Sequence, residues 1–348
     1  MRRTVLLLLG ALTCFAACRK DPALTPDGTP EEVQELEFEV PTGWPAPVYR
    51  FDSNAVTPAR FALGRKLFYD PILSKDFTIS CGSCHQPEAA FANADHRLSH
   101  GVEGRLGTRN SPGLSNMAWS SSFMWDGGVN NLEVQPISPI QNHVEMDLPF
   151  SDAVARVAAN PEYQRLFKEA YGVQTVTSQP MLRAMAQFMA MLVSNGSKWD
   201  AVQKGSASFT APEAAGQAIF QQRCASCHVP PLFTDFSFRN NGLTPGPFND
   251  SGRAHITREA QDLYRFKVPS LRNLSFSAPY FHDGRAETLD AALGHYADSL
   301  SIFHPGTDPR LQGGVPLNAQ QRGDLIQFLR TLDDPGFTNN KAFQARQD

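Results

Sequence analysis

The chain has 348 residues, 41% of them apolar, which is enough for a buried core and about two domains of ordinary size. Its formal charge of −4 removes the electrostatic case for nucleic-acid binding. No internal apolar run reaches the length of a membrane span.

At the N-terminus, Met1-Arg2-Arg3 is basic, Thr4 to Ala17 is mostly apolar, and Ala16-Ala17 is small. These are the three parts of a secretory signal, expected over residues 1–17. Phe15-Ala16-Ala17-Cys18 is similar to a bacterial lipobox, with Phe where Leu is usual. A lipid on Cys18 is therefore the expected membrane attachment, and plain cleavage is the alternative. Residues 18–47 are rich in Pro, Glu and Asp and read as a flexible tether.

Leu63 to Phe68 reads as a helix. It leads through a loop, Tyr69 to Ser80, into Cys81-Gly82-Ser83-Cys84-His85. Helical patterns follow at Ser151–Tyr171, Gln179–Val193 and Ala211–Arg223, the last running into Cys224-Ala225-Ser226-Cys227-His228. Two more lie at Leu289–His295 and Ala319–Leu332, and strand alternation is scarce.

Four of the six cysteines form the two C-x-x-C pairs. In an exported chain these could be local disulfides, or zinc knuckles at an unusual separation. The histidine after each pair decides between the readings. Histidine is 9 of 348 residues, so both neighbours arising by chance is roughly a one-in-a-thousand coincidence. C-x-x-C-H supplies two thioether bonds to a haem and a proximal imidazole. The expected cofactors are two covalently bound haems c, one on Cys81, Cys84 and His85, the other on Cys224, Cys227 and His228.

The two haem segments read as copies. Leu63-Gly64 is matched by Ala215-Gly216, Arg109-Asn110 is echoed by Arg272-Asn273, and Trp125-Asp126-Gly127 by His282-Asp283-Gly284. The expected fold is mainly α: two cytochrome-c-like haem domains, 48–200 and 201–348, related by internal duplication and carrying long loops. If Trp125 aligns with His282, then Pro139 aligns with Tyr296. Proline cannot bind iron and tyrosine can, so one haem is expected to keep an open face and the other to be closed by protein. All eight methionines lie at or before position 191, so the second haem cannot take one from its own domain. Its candidate sixth ligands are Tyr296, His295, His282, His304 and His255.

These ordered motifs resemble bacterial di-haem cytochrome c peroxidases, including the methylamine-utilisation branch, MauG. The resemblance runs from about residue 45 to 335. It rests on Leu63 to Phe68, both C-x-x-C-H sites, Gly107-Thr108-Arg109-Asn110-Ser111-Pro112, Trp125-Asp126-Gly127, Leu132 to Met146, Phe266 to Asn273 and Ala278 to Gly284. It implies a first haem that meets peroxide under Glu145, with Gln135 and Pro139 lining the same pocket. Peroxide cleavage removes a proton from one oxygen and delivers one to the other, which a held carboxylate can do. Trp125 matches the family's tryptophan between the haems. A calcium ion is implied at the Asn110 side chain and the Ser277 and Pro279 carbonyls. Tyr296 matches the tyrosine that closes the second haem in the MauG branch. His100 or His96 lies near the place of a loop histidine that blocks the first haem in other members.

The expected activity is therefore reduction of hydrogen peroxide to water in the periplasm. The electrons would come from a small exported cytochrome c or copper protein, and a homodimer is one assembly the family allows. A MauG-like enzyme oxidising protein side chains is the alternative, with Trp199 as an outward relay. A non-catalytic di-haem carrier or sensor is the third reading.

Overall fold

The computed structural model describes residues 36–94, 96–297 and 306–346. The expected signal peptide, the Cys18 lipid site, the tether up to residue 35 and His304 lie outside them. No helix among the described residues is long and apolar enough to cross a membrane.

Thr57 starts the first long helix. Its Oγ1 accepts the Arg60 N–H at 3.2 Å, and Pro58 takes the first helical position, where no donor is needed. Helix α1 then runs Pro58–Tyr69, followed by the short α2, Cys81–Cys84, and α3, Ile137–Gln141. The pattern over 151–171 predicts one helix, but the chain forms two, α4 (Phe150–Ala159) and α5 (Pro161–Tyr171). Pro161 holds Asn160 extended, and the Asn160 Oδ1 accepts from Glu162 N at 2.9 Å and Tyr163 N at 3.3 Å, capping a new helix. Helices α6 (Ser178–Ala190), α7 (Lys198–Gln203) and α8 (Ala211–Arg223) follow. The remaining helices are α9 (Ala254–Thr257), α10 (Leu289–Ala297), α11 (Ala319–Arg330) and α12 (Pro335–Thr338). The described sheet is a single antiparallel pair, β1 (Phe238–Arg239) with β2 (Phe266–Lys267), in the register Phe238 to Lys267. The class is mainly α, as expected.

The duplication is visible in the packing. Helix α1 packs on α6, and α8 on α11. A Cβ on Gly64 would collide with the Ala184 carbonyl of α6, and one on Gly216 with the Asp324 carbonyl of α11. Phe188 and Phe328 lie one turn further along in each case, and both are fully buried. One core gathers Leu63, Leu67, Tyr163, Phe167 and Met185; a second gathers Trp199, Phe220, Phe233, Leu325 and Phe328.

The loops repeat as well. Met124 and Phe281 both have positive φ, +66° and +69°, as do Gly127 and Gly284, at +70° and +65°. Phe123 bridges to Val129 as Tyr280 bridges to Ala286. This registers Trp125 with His282, and hence Pro139 with Tyr296. The echo of Arg109-Asn110 in Arg272-Asn273 is, by contrast, only local. The geometric counterpart of Asn273 is Asn116. Both have φ near +60°; Asn116 N donates to Leu192 O and Asn273 N to Leu332 O, and each side chain reaches the chain just after its helix pair.

Past α11, the C-terminal residues return to the first half. Arg65 Nη1 donates to Ala342 O at 2.7 Å, Tyr69 OH to Phe343 O at 2.7 Å, and Phe343 packs on Phe61, Phe91 and Phe337.

Candidate active site

Both C-x-x-C-H turns open on one cavity of about 960 Å³, at the upper end of the range for ligand pockets. Its wall includes Cys81, Cys84, His85, Cys224, Cys227 and His228. The turn at Cys81 is tight because Gly82 lies against the Tyr69 ring, where a Cβ would clash.

The two histidines are held alike. His85 Nδ1 lies 2.8 Å from Phe91 O, and His228 Nδ1 lies 3.2 Å from Phe233 O and 3.1 Å from Pro269 O. A carbonyl only accepts, so each Nδ1 carries the proton and each Nε2 keeps its lone pair. Burial also pushes both imidazoles below their ordinary pKa, toward the neutral form that binds metal. This carbonyl-anchored histidine is how proteins orient a metal ligand.

Glu145, Gln135, Pro139 and Trp125 line the same cavity. Pro139 sits in α3. The loop after it returns Glu145 to the cavity, with Glu145 N donating to Asn142 O and Val102 N to Glu145 O. Gly101 is required at that crossing, since a Cβ there would strike the Glu145 backbone. Asn142 Nδ2 donates to Glu145 Oε1 at 2.7 Å. Burial still holds the Glu145 carboxyl above its usual value, against the pull of that amide. Gln135 Nε2 points to Met124 Sδ at 3.5 Å. The Trp125 Nε1–H donates to Asn110 O at 2.8 Å, and the Trp125 carbonyl accepts from Lys267 N at 2.8 Å.

A family model described as di-haem cytochrome c peroxidase matches residues 58–208. The methylamine utilization protein MauG of Methylorubrum extorquens is 32% identical over 94% of this chain and 92% of its own length. This chain belongs to the di-haem cytochrome c peroxidase family. The cytochrome c551 peroxidase of Nitrosomonas europaea is 34% identical, covering 82% of this chain and 84% of that one. A solved MauG-like protein associated with microbial copper homeostasis superposes with a TM-score of 0.78 at 29% identity, over 89% of this chain and 99% of that one. The chain is thus an oxidoreductase of the peroxidase class, and the cofactors of its family are two haems c.

The residues fit that pair of haems. Each half of the cavity offers two thiols on one turn and an imidazole with its Nε2 lone pair available. Burial pushes the Cys81 and Cys224 thiols up to about 12. Each pair stands on the cavity wall beside its histidine, as thioether attachment next to a proximal imidazole would need.

The candidate partners of the second haem separate. The Tyr296 phenol lines the cavity, receives Asn241 Nδ2 at 3.3 Å, and is raised above its usual pKa by burial. His295 Nε2 is engaged with Asn241 O at 2.9 Å. His282 stacks on Phe266 with centroids 3.8 Å apart, and burial pushes it down to about 4. His255, on α9, lines the cavity wall. In the first half, His96 and His100 stand edge to face at 4.7 Å, and His100 lines the cavity. Asn110, Ser277 and Pro279 also share that wall. Asn110 Nδ2 donates to His96 O and Arg97 O at 3.3 Å, and its Oδ1 takes no donor among the described residues.

Trp199 is only 8% exposed. It packs edge-on to Phe233 and against Arg272, whose guanidinium is paired to Asp200 at 2.8 Å and faces Trp44 on another side. A surface relay at this position therefore needs more than Trp199 alone.

Sequence reasoning missed Asn142, Met124, Asn241 and the Phe91 and Phe233 carbonyls. Asn142 left a signal: three residues before an acid, its Oδ1 accepts Val144 N in a local turn. The others are cross-loop contacts with no pattern in the chain.

Proposed function

We propose that this protein reduces hydrogen peroxide to two waters, using two electrons from a small exported redox protein and two protons. When bound, the two haems supply the iron and the redox equivalents for this reaction. His85 would hold the first and His228 with Tyr296 the second. Pro139 offers no ligand atom on the first face, which leaves room for substrate there, and Gln135 is placed to hydrogen-bond it.

Glu145 carries the reading. It is a buried carboxylate on the wall shared with His85, held by Asn142, with its proton affinity raised above that of a surface glutamate. Such a group can take the proton from one peroxide oxygen at Oε and return it to the oxygen that leaves as water. Trp125, bonded to the first half through Asn110 and to the second through Lys267, is placed to couple the two halves electronically. A calcium ion at Asn110 Oδ1 and the Ser277 and Pro279 carbonyls belongs to the same proposal, as does export to the periplasm, where c-type haem is attached.

Stopped-flow mixing of the haem-loaded protein with peroxide tests it. Replacing Glu145→Gln should slow haem oxidation by about 10²-fold or more; an unchanged rate overturns the assignment. A second reading, oxidation of protein side chains as the resemblance to the MauG branch implies, is supported by Tyr296 on the cavity wall at the position matching Pro139. Turnover with a reduced cytochrome c or cupredoxin separates the two.

A further inference from the structure

We propose that Arg109, gripped by Asp250, is a positioning residue that fixes the Trp125 indole between the two haem-attachment sites and so sets how fast an electron crosses between them. The proposal rests on the peroxidase reading above and deepens the part assigned to Trp125.

Every nitrogen of the guanidinium donates. Arg109 Nε and Nη2 donate to the two oxygens of Asp250, at 2.6 and 2.8 Å, and Nη1 donates to Asp126 Oδ2 at 2.6 Å. The fork is bidentate on one carboxylate and single on the other, a geometry that lysine cannot reproduce. The side chains are 23%, 13% and 8% exposed for Arg109, Asp250 and Asp126, so solvent screens the pairs little.

The placement matters more than the strength. Asp126 directly follows Trp125, and Asn110 directly follows Arg109. The dipeptide 109–110 therefore grips the dipeptide 125–126 twice, side chain to side chain and Asn110 O to the indole N–H. Asp250 comes from the second half, as do Lys267 N on the Trp125 carbonyl, Arg253 Nη1 on the Asp126 carbonyl at 3.0 Å, and His282 O accepting from Asn110 N at 2.8 Å. Arg109 also lies over the Phe266 ring at 5.9 Å, and Phe266 stacks on His282, the counterpart of Trp125 in the repeat. One guanidinium thus references both equivalent positions. The step it serves makes and breaks no bond: one electron leaves the His228 side and arrives at the His85 side, and its rate depends steeply on how the indole is held.

The test uses the haem-loaded protein without peroxide. One electron is injected photochemically and the equilibration between the haems is followed optically. Asp250→Asn preserves shape, and Arg109→Lys preserves charge. Each should slow equilibration roughly ten- to hundredfold, weaken the indole N–H hydrogen-bond signature of Trp125 in ultraviolet resonance Raman spectra, and leave haem content and the haem absorption spectrum close to the parent. Trp125→Phe should slow it at least as much, and the double variant Asp250→Asn/Trp125→Phe no more than Trp125→Phe alone. Wild-type equilibration in both Asp250→Asn and Arg109→Lys overturns the proposal, as does a double variant slowed by the product of the single effects. If Trp125→Phe itself leaves the rate unchanged, the relay assigned to Trp125 fails first and the clamp has nothing to position.

Discussion

At the scale of single residues, the site works by controlling protonation through burial. His85 and His228 are kept neutral by desolvation and oriented by carbonyls that can only accept. Glu145 is treated oppositely in consequence, because burial disfavours its charged form and raises its pKa. The sign for activity follows. In the proposed reaction Glu145 must be ionised to accept the peroxide proton, so the rate of haem oxidation by peroxide should fall as pH drops through a midpoint above the ordinary glutamate value. Stopped-flow profiles from acid to neutral pH should show that limb in the parent and lose it in Glu145→Gln. An identical acid limb in the variant would place the titrating group elsewhere. Glu145 was legible in the chain only through its ordered neighbours, Gln135 and Pro139; its hydrogen-bond partner Asn142 and the glycine beneath it, Gly101, were not, since neither carries chemistry by residue type.

At the scale of elements, two helix pairs bring the haem turns to the cavity, and two glycines set how closely each pair packs. Gly64 and Gly216 face carbonyls of the partner helices, so alanine at either must push the pair apart. Gly64→Ala and Gly216→Ala should each cost about 1–3 kcal/mol in urea unfolding. Gly323 lies within α11 with open space where a Cβ would go. Gly323→Ala should therefore stabilise by about 0.4–1 kcal/mol, through a less flexible unfolded chain. Similar effects at Gly323 and Gly64 would remove the packing argument. The longer helices were legible from periodicity, with one exception, while the short α3, α7, α9 and α12 were not. The run 151–171 reads as continuous because its apolar spacing carries across Asn160-Pro161; the cap and the proline decide locally what periodicity averages over.

At the scale of the molecule, the second half reaches back to support the first. Phe343 packs on Phe91, whose carbonyl orients His85. Phe343→Ala should lower stability by about 3–5 kcal/mol and perturb the electron paramagnetic resonance signal of the haem on His85 while sparing that on His228. Equal changes in both signals would indicate general loosening instead. The Arg109–Asp250 pair and the contact of Arg65 with Ala342 tie the halves in the same sense.

The chain alone specified the two C-x-x-C-H turns, the duplication and the contrast of Pro139 with Tyr296, because covalent haem attachment and the proposed iron ligation demand particular residue types at fixed spacing. The true partner of Asn273, the return of the C-terminus onto α1, the burial of Trp199 and the grip of Arg109 on Trp125 were settled only by tertiary structure. Each depends on backbone carbonyls and side chains far apart in sequence meeting in a low-dielectric interior, and such meetings impose geometry on a residue without dictating a motif around it.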